Sequence, residues 1–413
     1  MRDVPTTSRS RRARLVPAAA VTAVVLSLGG AAAASADRRD GSQARARNVI
    51  LFVGDGMGVS HRTAAALATV GPDGGLAMDG LRHSGLVSTA PADPGTVVTD
   101  SAAAGTALAT GVRTSNGAVG VDPDGRPVET VVERAEAAGL ATGLVTTGEI
   151  TDATTAAFAA HVPDRGQQTE IARQFVEETG VDVLLGGGED FWYPPGDPGR
   201  IPGGTGLSDQ GDLVRRAQEL GYAYVSDRAG LAGARGDELL GLFDNRTMFV
   251  AAPEPAGTND RRVSLAEMTQ KAIDVLSRDD DGFLLVVEEE AVDGQAHANN
   301  AGETIEAVRL LDEAVAVGTR FAEGRDDTLV IATADHETGG MAVLDAGAPP
   351  TAADGPFDVA GSDRRFAVGW TTGGHTGADV PLTAEGPGAG RLGGHHGNTF
   401  VHRVVVETLF GAR

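Results

Sequence analysis

Five apolar runs recur along this chain, and segments with helical spacing separate several of them. The runs cover residues 48–54, 143–147, 181–185, 283–287 and 328–333. A short run that is apolar on both faces is typical of a strand that helices cover on both sides. Apolar residues recur at helical spacing over residues 128–138, 169–178, 264–277 and 303–321. This alternation predicts an α/β fold with a largely parallel central sheet.

The first 36 residues have the pattern of an export signal. Arginines at positions 9, 11, 12 and 14 precede an apolar run over 15–30, and Ala34-Ser35-Ala36 fits a cleavage site before Asp37. A membrane anchor is the alternative, but this run is short for a span of about 20 residues. The basic segment loosely resembles a twin-arginine signal. We therefore expect an exported protein, extracellular or in the cell envelope, with no stable membrane anchor.

The composition restricts the chemistry that an active site can use. The chain has no cysteine, so a metal ion must be held by Asp, Glu, His or hydroxyl groups. The net charge of -23 argues against a nucleic-acid binding surface and disfavours anionic lipid. Such an acidic chain needs local positive charge, from metal ions or arginine, to act on an anionic ligand.

One catalytic domain is expected over residues 37–413. Length alone would allow about two or three domains. However, the Gly/Pro-rich stretches at 193–206 and 345–363 are typical of surface insertions rather than of linkers. We therefore expect insertions near 190–260 and 344–370 within a single domain.

Acidic side chains follow several of the predicted strands at the point where each strand ends. Asp55 follows the first run, Asp152 comes soon after the second, and Glu288 and Asp335 follow the last two. In open α/β sheets, ligands bind beyond the carboxyl ends of the strands. These distant segments are therefore expected to converge on one site.

Ser101 lies at the predicted start of a helix of small residues that ends at Gly111. The free N–H groups and the dipole of a helix N-terminus favour an anion there. The neighbouring side chains are too small to shield the hydroxyl, and no histidine lies nearby in sequence to deprotonate it. If Ser101 is a nucleophile, another group must lower the pKa of its hydroxyl.

Several acid and imidazole side chains have the spacing of metal ligands. Asp293 and His297 are four residues apart and would face the same way on one helical turn. Asp335-His336 offers an oxygen and a nitrogen at a strand end, and His375 lies between glycines. Zinc uses such ligands where thiolates are absent. Each motif alone is more often a cap or a surface pair, so the prediction depends on their combination.

A further group offers only oxygen ligands. Asp152 and Thr154 lie two residues apart, and Glu288 ends a predicted buried strand. An all-oxygen set that keeps some water suits magnesium. The alternatives are a helix cap at Asp152 and Thr154 and a solvated charge cluster at Glu288. Arg165 is either a surface arginine or a fork that binds two phosphate oxygens.

These motifs, in this order, resemble the alkaline phosphatase family. The matching segments are 48–58, 98–111, 151–165, 287–299, 333–336 and 374–381. The resemblance implies a three-layer sandwich in which helices flank a large, mostly parallel central sheet. Gly294 occupies a position where the family can have lysine or histidine. His375 fits the family segment better than His395 or His396, a rival pair near the C-terminus.

The resemblance also implies roles for the matching residues. Ser101 would be the phosphorylated nucleophile, and Arg165, steadied by Asp100, would hold the phosphate oxygens. Each chain would bind two zinc ions and one magnesium ion, although zinc or cobalt could replace magnesium. The implied ligands are Asp293, His297 and His375 for one zinc, then Asp55, Asp335, His336 and Ser101 for the other, and Asp152, Thr154 and Glu288, with Asp55 shared, for magnesium.

The implied activity is hydrolysis of small-molecule phosphate monoesters to an alcohol and inorganic phosphate through a phosphoserine. Broad specificity, an alkaline pH optimum and a monomeric or homodimeric state accompany it. The alternatives are a phosphodiesterase of the same superfamily and an inactive relative that binds phosphate. A sulfatase is disfavoured, because Ser101-Ala102-Ala103 lacks the Cys/Ser-x-Pro-x-Arg setting of its modified residue.

Overall fold

Ten strands form the central sheet. The computed structural model describes residues 45–249, 263–347 and 353–411, so the export signal expected over 1–36 lies outside the described residues. The strands of the central sheet are β1 (Asn48–Gly54), β2 (His83–Ser88), β3 (Ala141–Glu149), β4 (Val183–Gly187), β5 (Ala223–Val225), β6 (Leu239–Leu242), β7 (Phe283–Glu289), β8 (Thr328–Ala334), β14 (Val380–Glu385) and β15 (Gly394–Gly397). Two smaller sheets contain β9 (Glu337–Thr338), β10 (Ala342–Asp345), β11 (Ala353–Asp358), β12 (Arg365–Gly369) and β13 (His375–Thr376).

The strand order confirms the predicted, mostly parallel sheet. Along the sheet the order is β15-β2-β14-β8-β1-β7-β3-β4-β6-β5. β1 pairs in parallel with both β7 and β8, and all three strands are buried along their whole length. Among the described strand pairs of this sheet, those of β14 with β2 and β8 are antiparallel. Burial of the central strands on both faces explains their continuous apolar sequences.

Helices cover the central sheet in two groups. The α-helices are α1 (Val59–Thr69), α2 (Ser101–Thr110), α3 (Val131–Ala138), α4 (Ala153–Ala159), α5 (Gln168–Gln174), α6 (Leu213–Leu220), α7 (Arg228–Gly233), α8 (Leu265–Leu276), α9 (Ala291–His297), α10 (Ala301–Ala322) and α11 (Thr399–Phe410). α10 packs against α1 and α8, whereas α2 packs against α4 and α11, and both groups contact the sheet. The result is the three-layer sandwich.

Within the described ranges, none of these helices has the length and apolar character of a membrane span.

The two regions expected as insertions also contribute strands. Within 190–260, β5 and β6 extend the central sheet beyond β4. These strands are three and four residues long, too short to produce the apolar runs that marked the other strands. Within 344–370, β11 and β12 pair with each other, and β12 also pairs with β10. Residues 250–262 and 348–352 of these regions lie outside the described ranges.

Several predicted boundaries differ from the observed ones by a few residues. α2 begins at Ser101 and ends at Thr110, and Gly111 follows it with a left-handed φ of 73°, as the sequence predicts. The helix predicted over 169–178 is α5 followed by a π-helical turn, Phe175–Thr179. Glu288 lies inside β7 rather than after it. Because β7 continues to Glu289, Glu288 is buried within the strand and does not lie beyond its end.

Candidate active site

The carboxyl ends of β1, β7 and β8 lie side by side at one edge of the sheet. Gly54 pairs with Glu289 on one side and with Ala334 on the other. Asp55 and Asp335 are the next residues along β1 and β8, so their side chains reach the same place. The structure therefore brings these two acids together, as the strand-end pattern predicts.

Ser101 is the first residue of α2, and its hydroxyl reaches the same edge. Asp100 caps this helix by accepting a hydrogen bond of 2.9 Å from the backbone N–H of Ala103. Oγ of Ser101 lies 3.2 Å from Nε2 of His336 and 3.5 Å from Oδ2 of Asp55. The imidazole that is missing from the neighbouring sequence thus reaches Ser101 across the fold.

Asp55, Asp335 and His336 form one compact group, the Asp55 cluster. Their ligand atoms all lie within 4.8 Å of one another, and all three residues are buried. Nε2 of His336 lies 3.2 Å from Oδ2 of Asp335 and 3.4 Å from Oδ1 of Asp55. Oδ1 of Asp335 accepts hydrogen bonds from the backbone N–H groups of Gly56 and His336, at 3.0 Å and 2.8 Å. The backbone therefore orients this carboxylate and leaves its second oxygen facing the cluster.

Burial opposes ionisation of Asp55 and His336 in this cluster. Burial raises the pKa of Asp55 well above its ordinary value, and the charges of Asp335, Asp293 and Glu288 raise it further. Burial also lowers the pKa of His336. A bound cation reverses this balance at the acids, because it favours ionised carboxylates beside a neutral imidazole. The electrostatics of the cluster therefore suit a cation.

Asp293, His297 and His375 form a second group, the Asp293 cluster, whose ligand atoms also lie within 4.8 Å of one another. Asp293 and His297 share one turn of α9, and Oδ2 of Asp293 lies 3.2 Å from Nε2 of His297. His375 reaches in from β13, with its Nε2 3.5 Å from Oδ1 of Asp293. Among the residues that the structure describes, these two clusters are the groups of three acids or histidines with metal-ligand geometry.

Backbone carbonyl groups orient both imidazoles of the Asp293 cluster. Nδ1 of His297 donates to the carbonyl oxygen of Gly373 at 2.7 Å, and Nδ1 of His375 donates to that of Thr99 at 2.8 Å. In the neutral rings both Nε2 atoms then carry lone pairs, and these atoms lie 3.1 Å apart. Imidazoles held through Nδ1 so that Nε2 is free are typical of metal ligands.

Asp293 dominates the protonation of this cluster. Its hydrogen bond raises the pKa of His297 to about 9. At His375 burial lowers the pKa, but the hydrogen bonds to Asp293 and Thr99 raise it overall. Burial alone would raise the pKa of Asp293, yet both imidazoles hold it far below its usual range. Metal binding at this cluster must therefore release protons from the imidazoles, which makes it pH-dependent.

Thr338 lies between the two clusters. Its hydroxyl donates to Oδ1 of Asp293 and lies 3.3 Å from Nδ1 of His336. Because its one proton goes to Asp293, Nδ1 of His336 is the donor, and Nε2 keeps its lone pair towards Ser101. The rings of His336 and His375 stack with centroids 3.7 Å apart. Thr338 is not among the residues predicted from the sequence, because a threonine two residues after a histidine has no ligand pattern of its own.

Asp152, Thr154 and Glu288 form the third set, the Glu288 group. Oε2 of Glu288 accepts a hydrogen bond of 2.6 Å from the hydroxyl of Thr146, and burial raises the pKa of Glu288 to about 7 despite this bond. Thr154 is 1% exposed and lies beside Glu288, but its Oγ1 has no hydrogen-bond partner. Asp152 caps α4 by accepting from the N–H of Ala153 at 2.7 Å, so the capping alternative describes this residue correctly. The cap leaves Asp152 near enough for its charge to raise the pKa of Glu288.

Arg165 connects the N-termini of α2 and α4. Its Nη1 lies 3.3 Å from Oδ2 of Asp100, and its Nη2 donates to Oδ1 of Asp152 at 2.9 Å. Burial lowers the pKa of Arg165, but the charges of Asp152 and Asp100 raise it overall, so the charge is permanent. The side chain is 31% exposed. Two ion pairs therefore hold a guanidinium fork that is still open to a ligand.

Three buried oxygen atoms of the site lack a hydrogen-bond partner: Oδ1 of Asp55, Oδ2 of Asp335 and Oγ1 of Thr154. An unsatisfied buried group costs about 1–3 kcal/mol, so such atoms need an explanation. They lie in the Asp55 cluster and the Glu288 group, and the Asp293 cluster adds two Nε2 atoms that face the carboxylate of Asp293. Together these donors fit zinc at the two clusters and a hard cation at the Glu288 group.

The C-terminal histidine pair lies apart from these groups. His395 forms an exposed ion pair with Asp379 at 2.9 Å. His396 stacks on Phe400, with ring centroids 4.2 Å apart. Of His375, His395 and His396, it is therefore His375 that the fold places beside Asp293.

Comparisons with known proteins agree on one family. A family model described as alkaline phosphatase matches residues 46–358. Alkaline phosphatase 4 of Bacillus subtilis is 31% identical, and the match covers 97% of this chain and 98% of that protein. Streptomycin-6-phosphate phosphatase of Streptomyces griseus is 38% identical over 92% of this chain and 93% of its own. A mutant of the alkaline phosphatase from the Antarctic bacterium TAB5, solved with Mg in its M3 site, has a TM-score of 0.73 and 27% identity over 90% of this chain and 100% of its own.

Proposed function

This chain belongs to the alkaline phosphatase family and hydrolyses phosphate monoesters, and we propose that it does so through a phosphoserine at Ser101. The observation that carries the proposal is the place of the Ser101 hydroxyl, 3.2 Å from His336 and 3.5 Å from Asp55. The start of α2 adds a local preference for negative charge at this hydroxyl. Ser101 therefore has the surroundings of an oxygen nucleophile.

We assign one zinc ion to the Asp293 cluster, a second to the Asp55 cluster together with Ser101, and magnesium to the Glu288 group with Asp55 shared. When bound, these ions supply positive charge that lowers hydroxyl pKa values and stabilises negative oxygen atoms. The buried oxygen atoms without partners support this assignment. For the third site, zinc or cobalt is the alternative to magnesium.

Arg165 holds the phosphate of the substrate. Its planar fork can donate two parallel hydrogen bonds to two phosphate oxygens. Asp100 and Asp152 keep the guanidinium in place, at 3.3 Å and 2.9 Å. Because phosphoryl transfer depends largely on positioning and charge neutralisation, this clamp contributes directly to the rate.

Two displacements at phosphorus complete the reaction. First, Oγ of Ser101 bonds to phosphorus while the bond to the ester oxygen breaks, and the alcohol leaves after taking up a proton. Then a water oxygen bonds to phosphorus, the bond to Oγ breaks, and inorganic phosphate is released with the hydroxyl of Ser101 restored. Both attacking oxygens react without their protons, which favours an alkaline pH optimum.

The replacement Ser101→Ala tests this mechanism with a chromogenic aryl phosphate. We expect turnover to be lost while the content of zinc and magnesium stays unchanged. The matched control is Ser277→Ala, at the exposed C-terminal end of α8, which keeps both turnover and metal. Turnover retained by Ser101→Ala would show that the serine mechanism is wrong.

The alternative functions give different results in the same assays. A phosphodiesterase would hydrolyse an aryl phosphodiester faster than the monoester, whereas we expect the reverse. An inactive relative would bind phosphate without turnover, whereas we expect activity that chelators remove and metals restore. We propose broad specificity, and a substrate panel should include an aminoglycoside phosphate, because one relative is a streptomycin-6-phosphate phosphatase.

We also propose that residues 1–36 direct export, with the twin-arginine route as one option, and that residues 37–413 form a single catalytic domain. The order of basic residues, apolar run and Ala34-Ser35-Ala36 supports the export signal. N-terminal sequencing of the secreted protein should then begin at Asp37.

Sedimentation of the same material distinguishes a monomer from a homodimer.

A further inference from the structure

Asn116 is an exposed residue after α2, and the proposed mechanism gives it no task. Oδ1 of its side chain accepts a hydrogen bond of 3.0 Å from the backbone N–H of Asp100, and Nδ2 donates to the carbonyl oxygen of Val98 at 3.0 Å. One partner is a donor and the other an acceptor, so they determine the orientation of the amide. Both ends of the amide thus hold the backbone on either side of Thr99, directly before Ser101.

A tight turn presents this side chain to the segment before Ser101. The N–H of Ala118 donates to the carbonyl oxygen of Ser115 at 3.1 Å, and Gly117, at the third position of the turn, has a φ of 83°. A positive φ at that position favours glycine. Asparagine is common in turns because its side chain bonds to its own backbone two residues on. That preference does not explain Asn116, whose amide bonds to residues 16 and 18 positions away.

The next residue of the same turn, Gly117, contacts the phosphate clamp. Its N–H donates to Oδ2 of Asp100 at 3.0 Å, and this oxygen lies 3.3 Å from Nη1 of Arg165. Its carbonyl oxygen accepts a hydrogen bond of 2.8 Å from the backbone N–H of Arg165. Asp100 is therefore held through its backbone by Asn116 and through its carboxylate by Gly117.

The other contacts of residues 98–100 do not replace the amide of Asn116. Thr96 also forms hydrogen bonds to this segment, but it belongs to the same loop and moves with it. The carbonyl oxygen of Thr99 accepts from Nδ1 of His375 at 2.8 Å, on the side of the metal ligands. Among the described hydrogen bonds, those of the Asn116 amide tie the backbone of this segment to the turn beside the phosphate clamp.

We propose that Asn116 is a positioning residue for phosphoryl transfer, which acts through Asp100 on Ser101 and Arg165. The proposal rests on the proposed function, in which Ser101 attacks phosphorus and Arg165 holds the phosphate. Asn116 ties the residue before the nucleophile to the turn that also bonds to the backbone of Arg165. A misplacement of about 1 Å between reacting groups costs about 100-fold in rate. The amide therefore raises the rate by keeping the attacking hydroxyl and the held phosphate at a fixed separation.

The replacement Asn116→Ala, assayed with an aryl phosphate at saturating zinc and magnesium, tests the proposal. We expect kcat to fall by between about tenfold and 100-fold, because both hydrogen bonds of the amide are lost. The inhibition constant of inorganic phosphate should rise by about threefold or more, since Asp100 holds Arg165 less firmly. The matched control is Gln270→Ala, which removes an exposed amide that bonds to Asp274 on α8 and should change neither value.

A double-mutant cycle with Arg165→Lys distinguishes positioning from a general loss of stability. If Asn116 acts through Asp100 on Arg165, the two replacements together should raise the phosphate inhibition constant by less than the product of their separate effects. Separate effects that multiply would overturn this route of action.

Asn116→Asp covers the case in which Asn116→Ala does not fold. It keeps the acceptor for the N–H of Asp100, but it sets a carboxylate oxygen against the carbonyl oxygen of Val98, and we expect a lower kcat than in the unaltered protein. An unchanged kcat in the folded Ala variant, or in the Asp variant if Ala does not fold, overturns the role of Asn116 and leaves the proposed function intact. If Ser101→Ala keeps its turnover, or the unaltered protein has none, both are overturned.

Discussion

The Nε2 atoms of His297 and His375 lie 3.1 Å apart, although the two residues are separated by 78 positions in the chain. Each ring donates from Nδ1 to a backbone carbonyl oxygen, that of Gly373 or Thr99. Both lone pairs therefore meet beside the carboxylate of Asp293. This is the arrangement expected if the zinc ion that we propose for the Asp293 cluster binds to both nitrogen atoms.

Replacement of His375 by alanine should remove one of the two zinc ions proposed for each chain. The Asp293 cluster would keep only Asp293 and His297, and zinc sites need at least three protein ligands. Metal analysis after dialysis checks the zinc content, and the aryl phosphate assay should show that turnover is lost with it. The control His395→Ala removes an exposed histidine paired with Asp379 and should retain both ions. An unchanged zinc content in His375→Ala would contradict the assignment.

Thr338→Val should lower both activity and zinc affinity by about 10–100-fold, because it removes the hydroxyl that orients Asp293 and His336. Valine keeps the shape of threonine, so packing changes little. Thr338→Ser restores the hydroxyl and should recover most of the loss. Zinc affinity is measured by competition with a chelator. Equal behaviour of the Val and Ser variants would mean that the hydroxyl has no positioning role.

Arg165→Lys should weaken competitive inhibition by inorganic phosphate and raise KM, although the positive charge is kept. Lysine is a point charge that cannot form two parallel hydrogen bonds, and each bond to a charged group contributes about 1.5–3 kcal/mol. The loss of one bond therefore predicts an inhibition constant about tenfold higher or more. Arg309→Lys on the surface of α10 is the matched control. Phosphate inhibition that stays the same in Arg165→Lys would exclude Arg165 as the clamp.

His402 should make the free energy of unfolding depend on pH on the acid side. Nδ1 of His402 donates to the carbonyl oxygen of Ala109 at 3.0 Å, and burial lowers the pKa of His402 from 6.5 to about 4. Between these values the unfolded state binds a proton that the folded state does not, so stability falls as pH drops from 6.5 towards 4. Above pH 6.5 neither state binds this proton, and the contribution of His402 is constant.

The full loss through His402 is up to about 3 kcal/mol, since one pKa unit corresponds to about 1.4 kcal/mol. Urea unfolding at a series of pH values from 7.5 to 4 measures it against His402→Gln. We expect a shallower acid limb in the variant, whereas His83→Asn, at an exposed position on β2, should follow the unaltered protein. Parallel curves for His402→Gln and the unaltered protein would rule out this source of acid sensitivity.

The sequence indicated the layers of the fold because the period of apolar residues reports burial directly. The central strands are apolar on both faces, and the small residues after Ser101 end at a glycine that adopts the left-handed conformation. The sequence did not predict β5 and β6, at one end of the sheet, because three or four residues are too few to define a period. Strand-end positions also indicated that Asp55 and Asp335 would converge, since parallel neighbours end at one edge.

The amino-acid sequence alone establishes which residue types are available for the site and on which elements they lie. How they meet depends on the folded structure, in which His336 approaches Ser101 and Thr338 lies between Asp293 and His336. These contacts join residues that are far apart in the chain, or they involve backbone carbonyl groups. No pattern of residue types in the sequence indicates such contacts. The period of apolar residues along the chain reports which residues are buried. The orientation of a metal-binding side chain depends instead on hydrogen-bond partners that only folding brings next to it.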